Sequence, residues 1–416
     1  MKHVAIAGAG PAGAATALLL AQQGMKVTLI EQETAFDRVF RGEGLMPAGL
    51  AALYEMGLKE TFEAIPARQL TSWDFYVGSQ RRMRVIEPEN KGVATQIINQ
   101  GALLKAIVEK AQQLPNFELF LGWQVTELSR DESGVVTGVQ AVCEGESRAF
   151  AADCVIAGDG RYSRLRKLAG LEMQRFPWKA TPSPAQFDVL WFKLPAPMSL
   201  AHETPFVACL QPNSQFAFYP SWDGRLQIGW IVEKSTQHKG GLAKLKERDW
   251  IEAFAQALPA DLAAYFRQHK DDLEGPIYLD VQVGCCPQWS IPGLLLIGDA
   301  AHPMAPNRAQ GINMALRDAI VVANQFSSDG LGLDNQPISA QVLQAIQAER
   351  QPEIMAVQKM QLAEWRKVEF ISRPGLPYLG FKAVASLFGR FTFAQNIWLH
   401  DQKGLREGVL PVHLNR

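Results

Sequence analysis

Residues 8–13 read Gly8-Ala9-Gly10-Pro11-Ala12-Gly13, a Gly-x-Gly-x-x-Gly set between a short apolar run, His3 to Ala7, and a stretch of helical character, Ala12 to Gln23. Glycines in that context permit a tight turn and close backbone approach, so the start of the helix can direct its unpaired N–H groups at a pyrophosphate. Gly24 stops the helix, and Lys26 to Glu31 reads as a second buried strand, which makes the opening a βαβ unit. Glu31 closes that strand eighteen positions after Gly13. A carboxylate there can accept from both ribose hydroxyls and repels a 2′-phosphate, so the adenosine belongs to FAD or NAD rather than NADP. The plainer alternative is a glycine-rich turn followed by an exposed Glu.

Val4 to Ala21 carries no charge and follows Lys2 as a signal peptide would, but Gly8, Gly10, Pro11 and Gly13 interrupt the run where a membrane helix needs continuity. No stable membrane insertion is expected. The chain has 416 residues, 41 basic and 42 acidic, with 47% hydrophobic and 20% charged. That profile excludes disorder, collagen and coiled coil, and the length suits two or three structural units. Near-neutral balance supplies no field for nucleic acid or an anionic membrane, and nucleic acid is not expected as a partner. Cys143, Cys154, Cys209, Cys285 and Cys286 are odd in number and lack Cys-x-x-Cys spacing, so neither a disulfide framework nor a zinc site is indicated and a cytoplasmic location is expected.

Further along, helices are expected at 47–57 and 101–113, with strand-like alternation from Leu70 to Val85 between them. The Val- and Thr-containing runs from Phe117 to Val155, broken by a turn at 130–134, predict a small antiparallel layer that ends in the strand Cys154 to Ala157. From Trp178 to Val283 the composition shifts to strands with large aromatics, plus two short helices near 242–270. The apolar strand Gly293 to Ile297 returns to the style of the opening, a helix begins near Gln310, and a long helix from Ser339 to about Arg366 contains Pro352. The first unit is therefore expected to be interleaved with the second. The segment Phe370 to Leu399 is apolar, punctuated by Pro and Gly, and is expected to pack over a cavity, with contact to a membrane as the alternative.

A lone glycine loop does not separate FAD from NAD, and two distant segments decide the matter. Ala157-Gly158-Asp159-Gly160-Arg161 and Gly298-Asp299-Ala300-Ala301-His302-Pro303 each follow a buried strand, and the latter continues through Pro306 to Gln310-Gly311-Ile312-Asn313. Three such motifs in this order resemble the FAD-dependent aromatic hydroxylases, the class A flavoprotein monooxygenases typified by para-hydroxybenzoate hydroxylase. The resemblance implies an α/β fold in which a Rossmann-like FAD-binding domain (1–69, 96–172 and 286–335) is interleaved with a mixed β-sheet substrate domain (70–95 and 173–285), followed by a C-terminal helical region (336–416). It also implies cofactor contacts at Gly8, Gly10, Pro11, Ala12, Gly13, Glu31, Gln32, Arg41, Gln100, Val125, Asp159, Asp299, Pro306, Gly311, Ile312 and Asn313. Asp299 would accept from the ribityl chain, with capping of the following turn as its alternative. The N–H groups of Gly311 and Ile312 would face the flavin's pyrimidine edge at a helix start, where the dipole favours negative charge. Asp159 would help hold FAD, or serve a common Asp-Gly turn. Arg41 and Gln100 either contact the flavin or are solvated loop side chains, and His302 is read as positional.

In this family NADPH or NADH reduces the flavin, oxygen adds to give a C4a-hydroperoxide, and the distal oxygen passes to an electron-rich ring. The cofactor carries the hard step, so no catalytic nucleophile or triad is expected. The substrate expected is an apolar, aromatic or polycyclic small molecule, floored by strands at Phe187–Phe192, Phe206–Leu210, Gln215–Tyr219 and Leu226–Val232. A monomer or homodimer is expected. The pattern departs from the family at Arg308, where a small residue is usual; facing the flavin it could bind an acidic or phenolate group, and facing outward it would mean nothing. Gly42-Glu43-Gly44-Leu45-Met46-Pro47 is closer to flavin reductases and halogenases. The alternatives are therefore an FAD-dependent reductase or dehydrogenase of the geranylgeranyl-reductase kind, a halogenase relative, or a flavin fold that only binds.

Overall fold

The computed structural model describes residues 1–36, 43–89, 93–173, 187–200, 202–212, 214–233, 250–258, 260–328 and 338–415. Its first sheet has six strands in the order Ser290–Ile291, Leu294–Leu296, Cys154–Ala157, His3–Ala7, Lys26–Glu31 and Phe117–Leu121, parallel except for the first. Strands buried on both faces need continuous apolar runs, which Val4–Ala7, Cys154–Ala157 and Leu294–Leu296 supply at 3% exposure or less. The helix Pro11–Gln22 is Ala-rich because it is covered on every side: Ala14, Ala15, Ala17 and Leu18 are fully buried, and Gln310–Ser328 packs along it.

Phe117–Leu121 corrects one expectation. It pairs in parallel with Lys26–Glu31 at the sheet's edge, while the small antiparallel layer consists of Gln124–Arg130, Val136–Cys143 and Glu146–Ala151. Alternation in sequence reports which face is buried and says nothing about which strand lies alongside.

The second large sheet has seven strands, ordered Glu274–Asp280, Phe187–Pro195, Arg225–Glu233, Ser214–Pro220, Pro205–Gln211, Ser72–Val77 and Gln80–Ile86. Ser72–Val77 joins in parallel to Pro205–Gln211, so a hairpin from early in the chain extends a sheet built much later. One face carries the helices Trp250–Ala257 and Ala260–Gln268, whose Phe254 and Phe266 pack on Phe192 and Phe216 of the sheet; the part of the expected helical region at 242–249 lies outside the described residues. The long helix runs Ala340–Ile371, with Pro352 inside it and Ser339 accepting from the Val342 amide as its cap. Two further helices, Leu376–Phe388 and Thr392–Glu407, form a hairpin that closes over the seven-stranded sheet, where Trp398 meets Trp73 and Phe75 at ring distances of 5.6 and 5.3 Å.

Candidate active site

Three neighbouring strands, His3–Ala7, Cys154–Ala157 and Leu294–Leu296, end at one crevice, and each is followed by one of the three sequence motifs. That is where open α/β sheets bind ligands. The glycines show what the loops are built around. Gly8 adopts φ +96°, donates to Ile30 O at 2.7 Å, and lies so close to the second motif that a Cβ would stand 2.5 Å from Gly158 O. A Cβ on Gly13 would stand 1.9 Å from Gly8 O, so this glycine lets the helix close onto the turn. Among the described residues, Gly10 has nothing within 4 Å of its would-be Cβ, and Gly311 has only Asp299 Oδ1 at 3.7 Å. Both border open cavity, and their lack of a side chain makes sense if a ligand approaches the backbone there. The loops fit a dinucleotide pyrophosphate and a flavin ring.

The cavity has a volume of about 1240 Å³, above the ~300–1000 Å³ usual for a single small ligand and suited to a cofactor with a substrate beside it. Gly8, Gly10, Pro11, Ala12, Glu31, Gln32, Gln100, Val125, Asp159, Asp299, Pro306, Gly311 and Ile312 line it. Gly13 and Asn313 lie behind that lining. Asn313 instead pins two loops, accepting from Met46 N at 2.9 Å and donating to Ala309 O at 2.6 Å. Arg41 lies outside the described residues. Glu31 accepts from Ala9 N at 2.6 Å and Glu33 N at 2.9 Å, which holds its carboxylate at the mouth of the glycine loop. Asp159 caps the turn after its strand, accepting from Ser163 Oγ at 2.5 Å and Leu165 N at 3.0 Å, while still bordering the cavity.

Asp299 is different: its nearest charge is Arg161 Nη2 at 3.7 Å, and burial raises its carboxyl against the opposing pull of Arg161 and His302. A carboxylate so placed lacks close partners that a cofactor hydroxyl would supply. Asp299→Ala is expected to weaken FAD binding roughly tenfold to a hundredfold, the value of one charge-assisted hydrogen bond. Fluorescence titration of the flavin-stripped protein checks this, and unchanged affinity would remove Asp299 from the site.

Arg308 faces the cavity. Its guanidinium lies 4.7 Å from the Trp73 ring and 5.0 Å from that of Trp398, and its Nε donates to Glu364 Oε1 at 2.9 Å. The charge is therefore already matched, and the residue clamps the C-terminal hairpin to the third motif. Arg308 and Ala309 both adopt left-handed backbone, φ 63° and 51°, which explains why small residues suit these positions.

Two polar clusters lack local sequence signatures. In the first, Glu43 is buried and receives Lys193 Nζ at 2.8 Å and Ser221 Oγ at 2.8 Å, with Lys193 also 3.0 Å from Asp223. Burial raises the Glu43 carboxyl despite Lys193. Burial together with a hydrogen bond to Glu43 drives the Tyr219 phenol well above its usual range, so Tyr219 stays protonated in the cavity wall, stacked on Phe206 at 5.6 Å. In the second, Asp318 accepts from Gly298 N at 3.0 Å and Arg350 Nε at 2.8 Å and meets His302 Nε2 at 2.7 Å. Arg350 and Arg317 both bind Glu353, whose Oε1 also accepts the amides of Val409 and Leu410. Burial pushes the Asp318 carboxyl up, but His302 and Arg350 prevail and hold it at about 2. His302, tilted against Trp289 with ring centroids 4.9 Å apart, thus braces the third motif from behind.

These features match known proteins. The family described as FAD binding domain matches residues 1–357. Among curated relatives, the 6-methylpretetramide 4-monooxygenase of Streptomyces rimosus is 33% identical over 377 residues, 87% of this chain and 83% of that protein. A squalene monooxygenase of Panax ginseng is 28% identical over 326 residues, covering 77% of this chain and 57% of its own length. The p-nitrophenol 4-monooxygenase of Pseudomonas putida shares the fold, with TM-score 0.79, 20% identity and coverage of 99% and 100% of the two chains. The relatives favour neither the reductase nor the halogenase alternative. With a cavity built by three strand-end motifs and a match running from Met1 to Val357, the chain belongs to the FAD binding domain family and, within it, to the FAD-dependent monooxygenases.

Proposed function

We propose that this monooxygenase oxygenates an apolar polycyclic compound carrying at least one hydroxyl or keto oxygen. The observation that carries the reading is the cavity's second half, where Trp73, Phe75, Trp191, Phe206 and Tyr219 make an aromatic wall that one benzoate-sized ring leaves largely unfilled. Among the described residues, buried Trp191 Nε1 has no hydrogen-bond partner. A buried orphan donor costs about 1–3 kcal/mol, so a wall of this kind calls for a ligand acceptor. The name of the Streptomyces relative, which acts on a pretetramide, supports a polycyclic ligand.

Bound FAD supplies the redox chemistry, taking electrons from NADPH or NADH and activating oxygen. The chain's own residues would hold it: the Gly10–Pro11 helix start for the pyrophosphate, Glu31 for the ribose, Asp299 for the ribityl chain, and the Gly311 and Ile312 amides for the ring. Gln32, Gln100, Val125, Asp159 and Pro306 complete the lining, with Gly13 and Asn313 holding the loops behind it. Tyr219, kept protonated by burial and with its one O–H directed at Glu43, leaves its phenol oxygen to accept from a substrate hydroxyl. The aromatic wall excludes water.

The test is ligand-stimulated NADH and NADPH oxidation across a panel of polycyclic phenols, quinones and small benzoates. Polycyclic phenols are expected to stimulate at least tenfold with product formed. Stimulation by benzoates alone would overturn the substrate reading.

A further inference from the structure

Overall charge is balanced, but one segment is not. From Phe370 to His400 the chain carries Arg373, Lys382 and Arg390 and no Asp or Glu. The same segment holds the helix Leu376–Phe388 and the first half of Thr392–Glu407, whose only acids are Asp401 and Glu407 at its far end, and its outer surface leaves Leu376 86%, Leu387 66%, Ile397 59% and Phe391 55% exposed. Phe388, Phe391 and Phe393 cluster at the turn with ring centroids 6.0 to 6.4 Å apart. A contiguous apolar patch of this kind marks an interaction surface. Among the described residues no helix is long and apolar enough to cross a membrane.

The inner side of the hairpin is cavity wall. Val384 and Phe388 line the cavity and are also 55% and 46% exposed, so the cavity reaches the surface under this patch. The hairpin is fixed to the body rather than dangling: a Cβ on Gly389 would stand 2.4 Å from Arg82 O, and Trp398 packs on Trp73.

We propose that the hairpin is a docking surface for an anionic lipid bilayer, with its apolar side chains in the interface and Lys382 and Arg390 at the headgroups, Arg373 being paired with Glu369 at 2.8 Å, so that an apolar substrate enters the cavity from the lipid. An apolar face flanked by cations and lying flat in the interface is the form such binding takes. Charge selects this occupant over a second copy of the chain, because two such faces would bring like charges together. The docking does not depend on which substrate the cavity takes.

The test is co-sedimentation of the flavin-loaded protein with vesicles of phosphatidylcholine containing 30% phosphatidylglycerol, against pure phosphatidylcholine. Binding is expected to the anionic vesicles, at least tenfold weaker in 0.5 M salt. Leu387→Asp with Phe391→Asp, and separately Lys382→Glu with Arg390→Glu, are expected to weaken it at least tenfold while flavin content and NAD(P)H oxidation in detergent-free buffer stay unchanged. No binding, or equal binding by both double variants, overturns the proposal. So does a dimer in light scattering that Leu387→Asp dissociates, which would make a second chain the occupant.

Discussion

Gly13→Ala is expected to purify without flavin and with reduced stability, whereas Gly10→Ala should fold normally and bind FAD at least tenfold more weakly. The two glycines lie three residues apart in one motif, yet they are glycine for different reasons. At Gly13 the added Cβ would meet Gly8 O at 1.9 Å, backbone against backbone, so the helix Pro11–Gln22 would have to lift off the turn. Overpacking of this kind costs about 1–3 kcal/mol even where side chains can yield, and here the obstacle is a carbonyl in the loop that forms the site. At Gly10 no atom of the described residues beyond its chain neighbours lies within 4 Å of the added Cβ, so the methyl group enters only the space left for the pyrophosphate. Thermal melts of the stripped proteins, with FAD titrations, separate the two. Equal loss of stability in both would contradict the reading.

Arg350→Met is expected to destabilise the fold by about 3–5 kcal/mol, because it strands buried carboxylates rather than removing a surface pair. Arg350 is 1% exposed and binds both Asp318 and Glu353. Asp318 in turn holds the Gly298 amide of the third motif, and Glu353 holds the chain at Val409 and Leu410. Destabilisation should therefore be accompanied by flavin release at lower denaturant than in the parent protein. The pH dependence has a definite sign. Asp318 is held at about 2, below its ordinary 3.8, so its contribution is fully present above pH about 4 and is lost as the pH falls through about 2. Urea unfolding at pH 7 gives the first number, and the slope of stability between pH 4 and 2, shallower in the variant, gives the second. A loss under about 1 kcal/mol would show that the network is relaxed or hydrated.

Much of the cofactor half was legible because its signals are local. The helix expected at Ala12 to Gln23 is found at Pro11–Gln22, that at 101–113 at Gln100–Gln112, and that near Gln310 at Gln310–Ser328. Each has a stop, cap or periodicity within a few residues. The parallel partner of Phe117–Leu121 was not legible, nor was the joining of Ser72–Val77 to Pro205–Gln211, because those pairings bring together residues far apart in the chain. The polar clusters were missed for the same reason. Glu43, Lys193 and Asp223 come from three distant segments and become one group only when the chain at Glu43 meets the seven-stranded sheet. A faint signal did exist at Asp318, an acid inside the apolar stretch Met314 to Ala323, and at Arg350 and Glu353, one helical turn apart. Charges on the buried side of a helix need partners. Arg308 became interpretable only once its backbone conformation and Glu364 were in view.

Whether this chain inserts oxygen into an organic substrate is decided by mass spectrometry of products formed under ¹⁸O₂, with NADH or NADPH and the polycyclic panel. One ¹⁸O atom per product molecule is the predicted result. Products that gain two hydrogens and no label would contradict it and identify a reductase.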